Sequence, residues 1–449
     1  MPSFISRLMK LEQPMTSPRV TIAAAPGNAR RNARGKPGGQ AMMTALAGML
    51  GFILIMGFGR FAYTAILPLM IREGSVTVHG GSLLATVNLA GYLVGALSGM
   101  AAGERSRPML LWGMTLTALG LIGMGMTGYH PAWQGLRFLS GVASAWGLVG
   151  ITHWSMRRLV ASGHGHWRGI VFSGPGFGIM VTGLLVPMMA GQGMRVAGIW
   201  FWLGILAAFG GALVLAASWR ESMAAHPPIA TPLHVFTPVS GPQFRLPKAM
   251  LAVAYGISGA CYIVPATFLP LIAREVLPGG GLDQLLWPVM GLMAGLSTIL
   301  CGFVPPRHHA RTLVVVYLCE AVGIVIPVFL PSLAGLALSS VMVGSTMMLG
   351  VMLSMDAAKN RYHDPSLVAM LTAGYAVGQV VGPYMAGTLY QYTHSFLPSL
   401  AVAGAWLALS ALLSMLEPMI WEKRRLAMDQ DSRDAAQSNA ASKEAIPAA

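Results

Sequence analysis

The chain has 449 residues, of which 55% are hydrophobic and only 10% charged, whereas a soluble globular protein carries about 25% charged residues. This composition leaves too few charges to cover a water-facing surface, so it excludes an ordinary soluble domain. A net charge of +14 would suggest nucleic-acid binding in a soluble protein, but here the positions of the basic residues explain the charge without nucleic acid.

Apolar segments long enough to cross a membrane recur along the chain. A helix needs about 20 residues to span a hydrocarbon core of ~30 Å, so these segments predict an all-α polytopic membrane protein. We predict 12 transmembrane helices near residues 42–71, 80–102, 108–128, 132–156, 169–190, 196–218, 248–273, 284–303, 312–330, 333–355, 367–391 and 396–417.

The segment that follows the sixth span is rich in proline and is the one long interior connection, so it divides the chain into two halves. The predicted regions are a disordered basic cytoplasmic tail at 1–41, an N-terminal six-helix bundle at 42–218, a cytoplasmic linker at 219–247, a C-terminal six-helix bundle at 248–418 and a cytoplasmic tail at 419–449.

The lysines and arginines are distributed unequally between the two sides of the membrane. With the predicted spans, 24 of the 29 lie on the side of the termini, three lie on the opposite side, and Arg60 and Arg137 lie within spans. Because cytoplasmic loops carry the excess of basic residues, we expect a multi-pass protein of the plasma (inner) membrane with both termini in the cytoplasm.

A seven-residue motif recurs at a distance of nearly half the chain. The sequence LPLMIRE at Leu67–Glu73 returns 202 positions later as LPLIARE at Leu269–Glu275, with five identities. Glycines of the fourth and fifth spans recur in the tenth and eleventh: Gly141, Gly147, Gly174 and Gly178 correspond to Gly344, Gly350, Gly374 and Gly378. Small residues let membrane helices pack closely. Two six-helix repeats therefore predict two pseudo-symmetric bundles with a site between them near mid-membrane, as in transporters.

Two motifs resemble the major facilitator superfamily (MFS). In the fourth span Arg137 is followed four residues later by Gly141, and Gly174-Pro175-Gly176-Phe177-Gly178 resembles the G-P-x-x-G motif associated with antiporters. Residues 103–107 depart from the Gly…Asp…Arg signature that this superfamily carries between its second and third helices. The resemblance implies the MFS fold and secondary transport.

Within the superfamily, residues of about 45–415 resemble the YbfB/YjiJ-type branch, and this likeness says nothing of the substrate. The residues that carry it are Gly59-Arg60-Phe61-Ala62-Tyr63-Thr64 with Leu67-Pro68, Asn88-Leu89-Ala90-Gly91-Tyr92 with Gly95, Tyr255-Gly256, Tyr262 with Pro265-Ala266-Thr267-Phe268-Leu269-Pro270, and Gly378-Gln379 with Gly382-Pro383.

Arg60 and Arg137 are the main physical indication of a polar site. A charged side chain at the bilayer centre costs roughly 2.5–3.5 kcal/mol on insertion scales, so both arginines should face a hydrated interior. Helical spacing places Tyr63 and Thr64 on the face of Arg60, and Ser140 and Ser144 on the face of Arg137. Either arginine can bind an anionic solute, or can bind backbone carbonyls and hold the bundle together.

Polar side chains on the spans that surround the cavity in the MFS complete the predicted substrate pathway. Each of them can orient a small solute or simply join two helices. The predicted pathway residues are Arg60, Tyr63, Asn88, Tyr92, Arg137, Tyr255, Tyr262, Tyr375 and Gln379. For Gly174, Pro175, Gly178, Gly378 and Pro383 we predict a role in helix packing or gating.

Glu320 is the only carboxylate well inside an apolar segment, and it is the candidate for proton coupling because burial opposes the charged form. The alternative is a protonated glutamate bonded to a neighbouring helix. None of spans one, two, four, five, seven, eight or eleven contains an aspartate or glutamate. A binder of lipophilic cations would normally offer one, so an anionic or neutral solute is favoured.

The sequence gives no catalytic residues, no metal site and no cofactor site. Cys261, Cys301 and Cys319 all lie in apolar spans without a C-x-x-C pattern, which is typical of small buried side chains. A membrane acyl- or prenyltransferase would need a D-x-x-D or H-x-x-x-D motif in a span, and the spans contain none. We therefore predict that the protein is not an enzyme.

The sequence predicts a monomeric secondary active transporter in membrane lipid, whose partners are a small-molecule substrate and protons and not nucleic acid. Alternating access with proton coupling is the expected mechanism; the sequence leaves the direction of transport open, and the G-P-x-x-G motif favours export. Two alternatives remain open at this point: efflux of multiple drugs or aromatic compounds, which the 32 methionines and the tyrosines of the spans would suit, and a transporter-like sensor.

Overall fold

The computed structural model describes residues 37–101, 106–222, 241–276, 284–302 and 304–444. These residues form helices and short turns, without any strand. The predicted tail before residue 37, the loop at 102–105 and the linker at 223–240 lie outside the described residues.

Twelve long helices follow one another through the described residues, and they correspond to the 12 predicted spans. They are α1 (Pro37–Phe52, continued without a break by Ile53–Phe61 and Ala62–Arg72), α2 (Val78–Ala101), α3 (Ser106–Met126), α4 (His130–Ala161), α5 (Gly174–Gly191, preceded by the short Arg168–Phe172), α6 (Val196–Ser222), α7 (Arg245–Val276), α8 (Leu286–Cys301), α9 (His309–Phe329), α10 (Leu333–Asn360), α11 (Pro365–Thr393) and α12 (Leu397–Glu444).

By length and composition alone, ten helices in the described parts of the chain can cross a membrane. The other two are α8, which has 16 residues, and α4, which carries Arg137, Arg157 and Arg158 within its 32 residues. The last helix differs from the prediction, since α12 continues to Glu444 instead of ending near residue 417. Alanine, glutamate, lysine, arginine and glutamine dominate that extension, and these residues favour helix even without apolar packing.

The helices pack as two bundles with the same internal arrangement. In the first, α1 packs on α5, α2 and α3 pack on α4, and α3 packs on α6. In the second, α7 packs on α11, α8 and α9 pack on α10, and α9 packs on α12. Between the bundles, α2 meets α11 and α5 meets α8. Because these two contacts exchange under the repeat, the bundles are related by a pseudo-twofold axis.

The pseudo-twofold axis passes between α1 and α7, where two equivalent residues of the repeat touch. The Thr64 hydroxyl donates to the carbonyl of Ala266 over 2.8 Å, and the two residues are 202 positions apart. Pro270 has no N–H to donate to that carbonyl four residues earlier. The proline of the repeated motif thus frees an acceptor, and the opposite bundle supplies the donor.

The glycines of the repeat bring helices of one bundle into backbone contact. A methyl group added at Gly178 of α5 would lie 2.6 Å from Cα of Gly57 in α1, and one at Gly378 of α11 would lie 2.1 Å from the carbonyl oxygen of Gly256 in α7. Pro175 stands in the first turn of α5, where no helical N–H is lost. Pro383 lies inside α11. Gly174 likewise contacts α1, whereas Gly176 contacts Gly295 of α8 in the other bundle.

The glutamate at the end of each copy of the repeated motif caps the last helix of its own bundle. Glu73 accepts from the N–H of Val196 at the start of α6 over 3.1 Å, and Glu275 accepts from the N–H of Phe396 at the start of α12 over 3.0 Å. A carboxylate at a helix N-terminus satisfies free N–H groups. Capping of the last helix of each bundle therefore explains why both copies of the motif, Leu67–Glu73 and Leu269–Glu275, end in glutamate. We call the end of the molecule where these caps lie the opposite end.

The other end, which carries the α4–α5 and α10–α11 connections, is called the basic end. Arg168 of the first bundle and His309 of the second both approach Asp356, with N···O distances of 3.4 and 3.6 Å, so an ion pair joins the bundles here. Asp364 caps α11 and pairs with Lys248. Partial burial alone would raise the pKa of Asp364, but the hydrogen bonds from Lys248 and Ser366 lower it to about 2.

Candidate functional site

α1 changes to a π-helix over Ile53–Phe61, in the middle of the molecule. The segment contains Gly57 and Gly59, and Gly57 packs directly on Gly178 of α5. π-helical turns are rare and occur often at functional sites. Arg60 lies in the last turn of this segment, so the wider turn sets the direction in which its side chain leaves α1.

Polar side chains of α4 donate hydrogen bonds to the backbone carbonyl groups of this π-helix. Ser144 donates to the carbonyl of Ile55 over 3.0 Å, Ser140 donates to that of Gly59 over 3.1 Å, and Nη1 of Arg137 donates to the same oxygen over 3.4 Å. The predicted common face of Arg137, Ser140 and Ser144 therefore faces α1.

Asn88 and Tyr63 use their side chains to join helices of the first bundle. The Asn88 amide donates to the carbonyl of Arg137 over 2.8 Å, and the Tyr63 hydroxyl donates to the carbonyl of Gly81 over 2.7 Å. The guanidinium carbon of Arg137 lies 4.4 Å from the centre of the Tyr63 ring. These contacts hold Arg137 between α1, α2 and the Tyr63 ring.

Arg60 is buried, with 6% of its surface exposed, but its guanidinium is only partly satisfied. It lies 4.8 Å from the centre of the Tyr92 ring and 5.3 Å from that of Phe61. Its Nε and Nη2 have no hydrogen-bond partner among the residues that the structure describes. These two nitrogens form one edge of the guanidinium, and such an edge fits both oxygens of a carboxylate or phosphate.

Both arginines line one cavity between the two bundles. Its volume is about 20 Å³, which is enough for roughly one water molecule. The lining residues are Arg60, Phe61, Tyr63, Thr64, Ala85, Asn88, Leu89 and Arg137 of the first bundle and Ile263, Ala266 and Thr267 of the second. The structure thus brings Arg60, Tyr63, Asn88 and Arg137 together, with Tyr92 beside Arg60.

The candidates of the second bundle form a separate aromatic group beside this cavity. The Tyr375 ring is stacked between Tyr255 and Tyr262, with ring centres 4.4 and 5.7 Å away. The Gln379 amide nitrogen donates to the Tyr262 hydroxyl, and its Oε1 is buried without a partner in the described part of the chain. These four residues lie outside the set that lines the cavity.

Thr64, Ile263, Ala266 and Thr267 line the cavity although sequence reasoning did not select them as site residues. Thr64 and Ala266 are equivalent positions of the repeat, and equivalent residues near a pseudo-twofold axis must approach each other. The proline four residues after each of them was the available signal, since it frees a carbonyl for a partner outside the helix.

Glu320 lies on α9 and is 1% exposed. Within the described residues neither of its carboxylate oxygens has a hydrogen-bond partner. It is not among the residues that line the cavity. In the described residues, no three or more His, Cys, Asp and Glu side chains come together in a group that could hold a metal ion.

Comparison with known proteins identifies the family. The family described as "Uncharacterised MFS-type transporter YbfB" matches residues 52–415, which is most of the chain. The chain belongs to this family of MFS transporters. Comparison with curated proteins found no match.

The fold of the transporter agrees with this assignment. The crystal structure of a D-xylose–proton symporter matches 83% of this chain and 97% of that chain with a TM-score of 0.64, at 14% sequence identity. The predicted fold class, with two pseudo-symmetric six-helix bundles, is confirmed. The family points to a multi-pass membrane transporter rather than a membrane enzyme.

Proposed function

We propose that this MFS protein is a secondary active transporter that moves a small organic anion, with a carboxylate as the favoured group, by proton-driven alternating access. The observation that carries the proposal is the free Nε–Nη2 edge of Arg60 in a cavity between the bundles. A buried guanidinium without a counter-charge is costly, and an anionic solute would supply that charge.

The cavity lining suits a small organic anion in two further ways. Ala85 and Leu89 of the first bundle and Ile263 and Ala266 of the second provide apolar lining for the carbon skeleton, while Thr64 and Thr267 add hydroxyl groups. No described acidic side chain forms a salt bridge with either arginine. Small-molecule sites usually combine a mostly apolar wall with a few fixed polar groups.

Alternating access is supported by the small volume of the cavity. A space of about 20 Å³ is too small for an organic solute, so the bundles would have to separate around the site before a solute binds. The Arg168–Asp356 pair joins the bundles at the basic end, and the Thr64–Ala266 bond joins them at the axis. Opening to either side requires the bundles to rock against each other and break contacts that join them.

The proposal also includes the membrane in which the protein lies, the orientation of its termini and the direction of transport. The excess of basic residues on the side of the termini supports a plasma-membrane protein with both termini in the cytoplasm. The G-P-x-x-G motif at Gly174–Gly178 supports export. Reporter fusions at each terminus test the orientation, and inside-out against right-side-out vesicles test the direction.

The function is tested in proteoliposomes with an imposed pH gradient. Organic acids, sugars, amino acids and amphiphilic drugs are compared as substrates. We expect saturable transport of a small organic acid, and a loss of about 10- to 150-fold in apparent affinity for Arg60→Ala, because a hydrogen bond to a charged group contributes about 1.5–3 kcal/mol. Arg60→Lys should restore little, since lysine lacks the planar edge. The control is Arg195→Ala, an exposed arginine at the opposite end.

Efflux of aromatic compounds is the competing function, and the stacked Tyr255, Tyr375 and Tyr262 rings beside the cavity are the observation that favours it. Transport of many amphiphilic compounds with unchanged activity of Arg60→Ala would establish that function and refute the organic-anion proposal.

A further inference from the structure

Glu320 is a buried acid for which the packing of the second bundle provides no cation. No ion pair of the described residues includes its carboxyl group, and neither of its two buried oxygens has a hydrogen-bond partner among them. The titratable groups within its electrostatic range are Cys261 on α7, Tyr317 on α9 and Tyr375 on α11, all of which are neutral when protonated. An unpaired carboxylate in such a place costs several kcal/mol.

The charged residues on the other helices that pack against α9 lie at the two ends of the molecule, away from Glu320. Asp356 of α10 pairs with Arg168 and His309, and Glu417 of α12 accepts from Arg361 and Tyr362. From α10, Ser354 bonds to the hydroxyl of Tyr317, which lies on α9 three residues before Glu320, over 3.0 Å.

The repeat gives Glu320 a counterpart in the first bundle. α3 and α9 begin and end 203 positions apart, so Glu320 occupies the place of Thr117. The Thr117 hydroxyl donates to the carbonyl of Gly113 over 2.7 Å, and its methyl group packs against Gly59, the residue before Arg60. In the second bundle, the same position places an acid near Cys261, the residue before Tyr262.

α7 carries both Cys261, which lies near this acid, and the Ala266 contact at the axis, so a change in the contact between the bundles reaches the surroundings of Glu320 through a movement of α7 within the second bundle. In the described conformation the surroundings tolerate only the neutral acid. When such a movement lets water reach the carboxyl group, the charged form is stabilised and the proton can leave.

We propose that Glu320 is the proton-binding site of the transporter, which takes up one proton from water on one side of the membrane and returns it to water on the other side in each cycle. Only the O–H bond of the carboxyl group forms and breaks. This inference rests on the proposed function, since it assigns the proton of the coupled transport to a residue of the second bundle, whereas Arg60 lies in the first.

The first test uses proteoliposomes that hold a pH-sensitive dye, with the organic acid found by the substrate panel. Glu320→Gln should lose solute-driven proton flux and pH-driven accumulation by at least about tenfold, while exchange of labelled for unlabelled solute at equal pH persists. Glu320→Asp should retain part of the flux. Thr117→Val, at the equivalent position of the first bundle, is the control and should retain coupling.

The outcomes separate this inference from the proposed function. Unchanged proton flux in Glu320→Gln overturns the proton site but leaves anion transport through Arg60 intact. Loss of exchange together with accumulation in both Glu320 variants also overturns it, because the residue would then serve the fold. Failure of Arg60→Ala to affect transport refutes the proposed function, whatever the Glu320 variants do.

A second readout needs no substrate. Cys261 is 1% exposed and lies near Glu320, so its alkylation rate reports opening of this region. In a protein with Cys301→Ser and Cys319→Ser, the rate should rise more steeply with pH when residue 320 is Glu than when it is changed to Gln. Identical pH profiles for the two proteins would overturn the inference.

Discussion

The two bundles of the transporter share their packing but differ in the polar groups they bury. Positions related by the repeat carry different side chains: Arg60 and Tyr262, Asn88 and Met290, Thr117 and Glu320, and Arg137 and Ser340. The first bundle thus buries two cations, and the second buries two acids, Glu320 and Glu417, and a stack of tyrosines. The contacts that hold each bundle depend mainly on glycines and backbone groups, so the side chains near the axis are free to differ.

The two bundles share their close helix contacts. A methyl group at Gly141 would lie 1.9 Å from the carbonyl oxygen of Asn88, and one at Gly344 would lie 2.4 Å from that of Met290. α4 therefore meets α2 as α10 meets α8, even though an asparagine stands opposite a methionine. A substrate site between two such bundles has a nearly symmetric backbone, and its asymmetry comes from the side chains.

The largest expected difference between the bundles concerns Gly174 and its counterpart Gly374. A methyl group at Gly174 would lie 2.5 Å from the Met49 carbonyl and Phe52 Cβ, whereas one at Gly374 would meet nothing closer than 3.9 Å. Gly174→Ala should lower stability by about 1–3 kcal/mol through overpacking. Gly374→Ala should be neutral or stabilising by about 0.5–1 kcal/mol. Thermal unfolding in detergent measures both, and equal shifts would contradict the comparison.

The bond at the axis provides the next test. Thr64→Val keeps the shape but removes the donor to Ala266, whose carbonyl has no helical partner because of Pro270. A buried acceptor without a partner costs about 1–3 kcal/mol, so the described conformation should lose stability. Thr182→Val is the matched control, since the Thr182 hydroxyl bonds to Gly178 within its own helix. Thermal unfolding and labelling of Cys261 should both respond to Thr64→Val alone.

The capping glutamates should differ by a smaller amount. Glu275 accepts from the N–H of Phe396 and from the Ser395 hydroxyl, while Glu73 is exposed and, among the described residues, accepts only from Val196. Loss of a helix cap costs about 0.5–2 kcal/mol. Glu275→Ala should lie near the upper value and Glu73→Ala near the lower one. A larger loss of melting temperature for Glu73→Ala would be inconsistent with these contacts.

The smallest effect concerns the turns before the last helix of each bundle. Gly193 precedes α6 with a φ of +80°, and His394 precedes α12 with a φ of +53°. A left-handed residue with a side chain costs roughly 1–2 kcal/mol, and glycine avoids that cost. His394→Gly should raise stability by about 1 kcal/mol, and Gly193→Ala should lower it by a similar amount, as chemical or thermal unfolding would show.

The sequence by itself determined the class, the twelve spans and the repeat. Hydropathy depends only on which residues follow one another, and the proline-containing motif at Leu67–Glu73 and Leu269–Glu275 marks equivalent places in the two bundles. Burial of Arg60 and Arg137 in the interior followed from the cost of placing a charge in lipid.

Only the tertiary structure decided what each polar side chain does. Asn88 and Arg137 bind backbone carbonyls, whereas Arg60 keeps a free edge and Glu320 has no described partner. Helix rotation, the π-helix at Ile53–Phe61 and the approach of a neighbouring helix set these partners, and they depend on contacts between residues far apart in the chain. Sequence spacing gives the face of a helix, but the partner on that face belongs to the packed bundle.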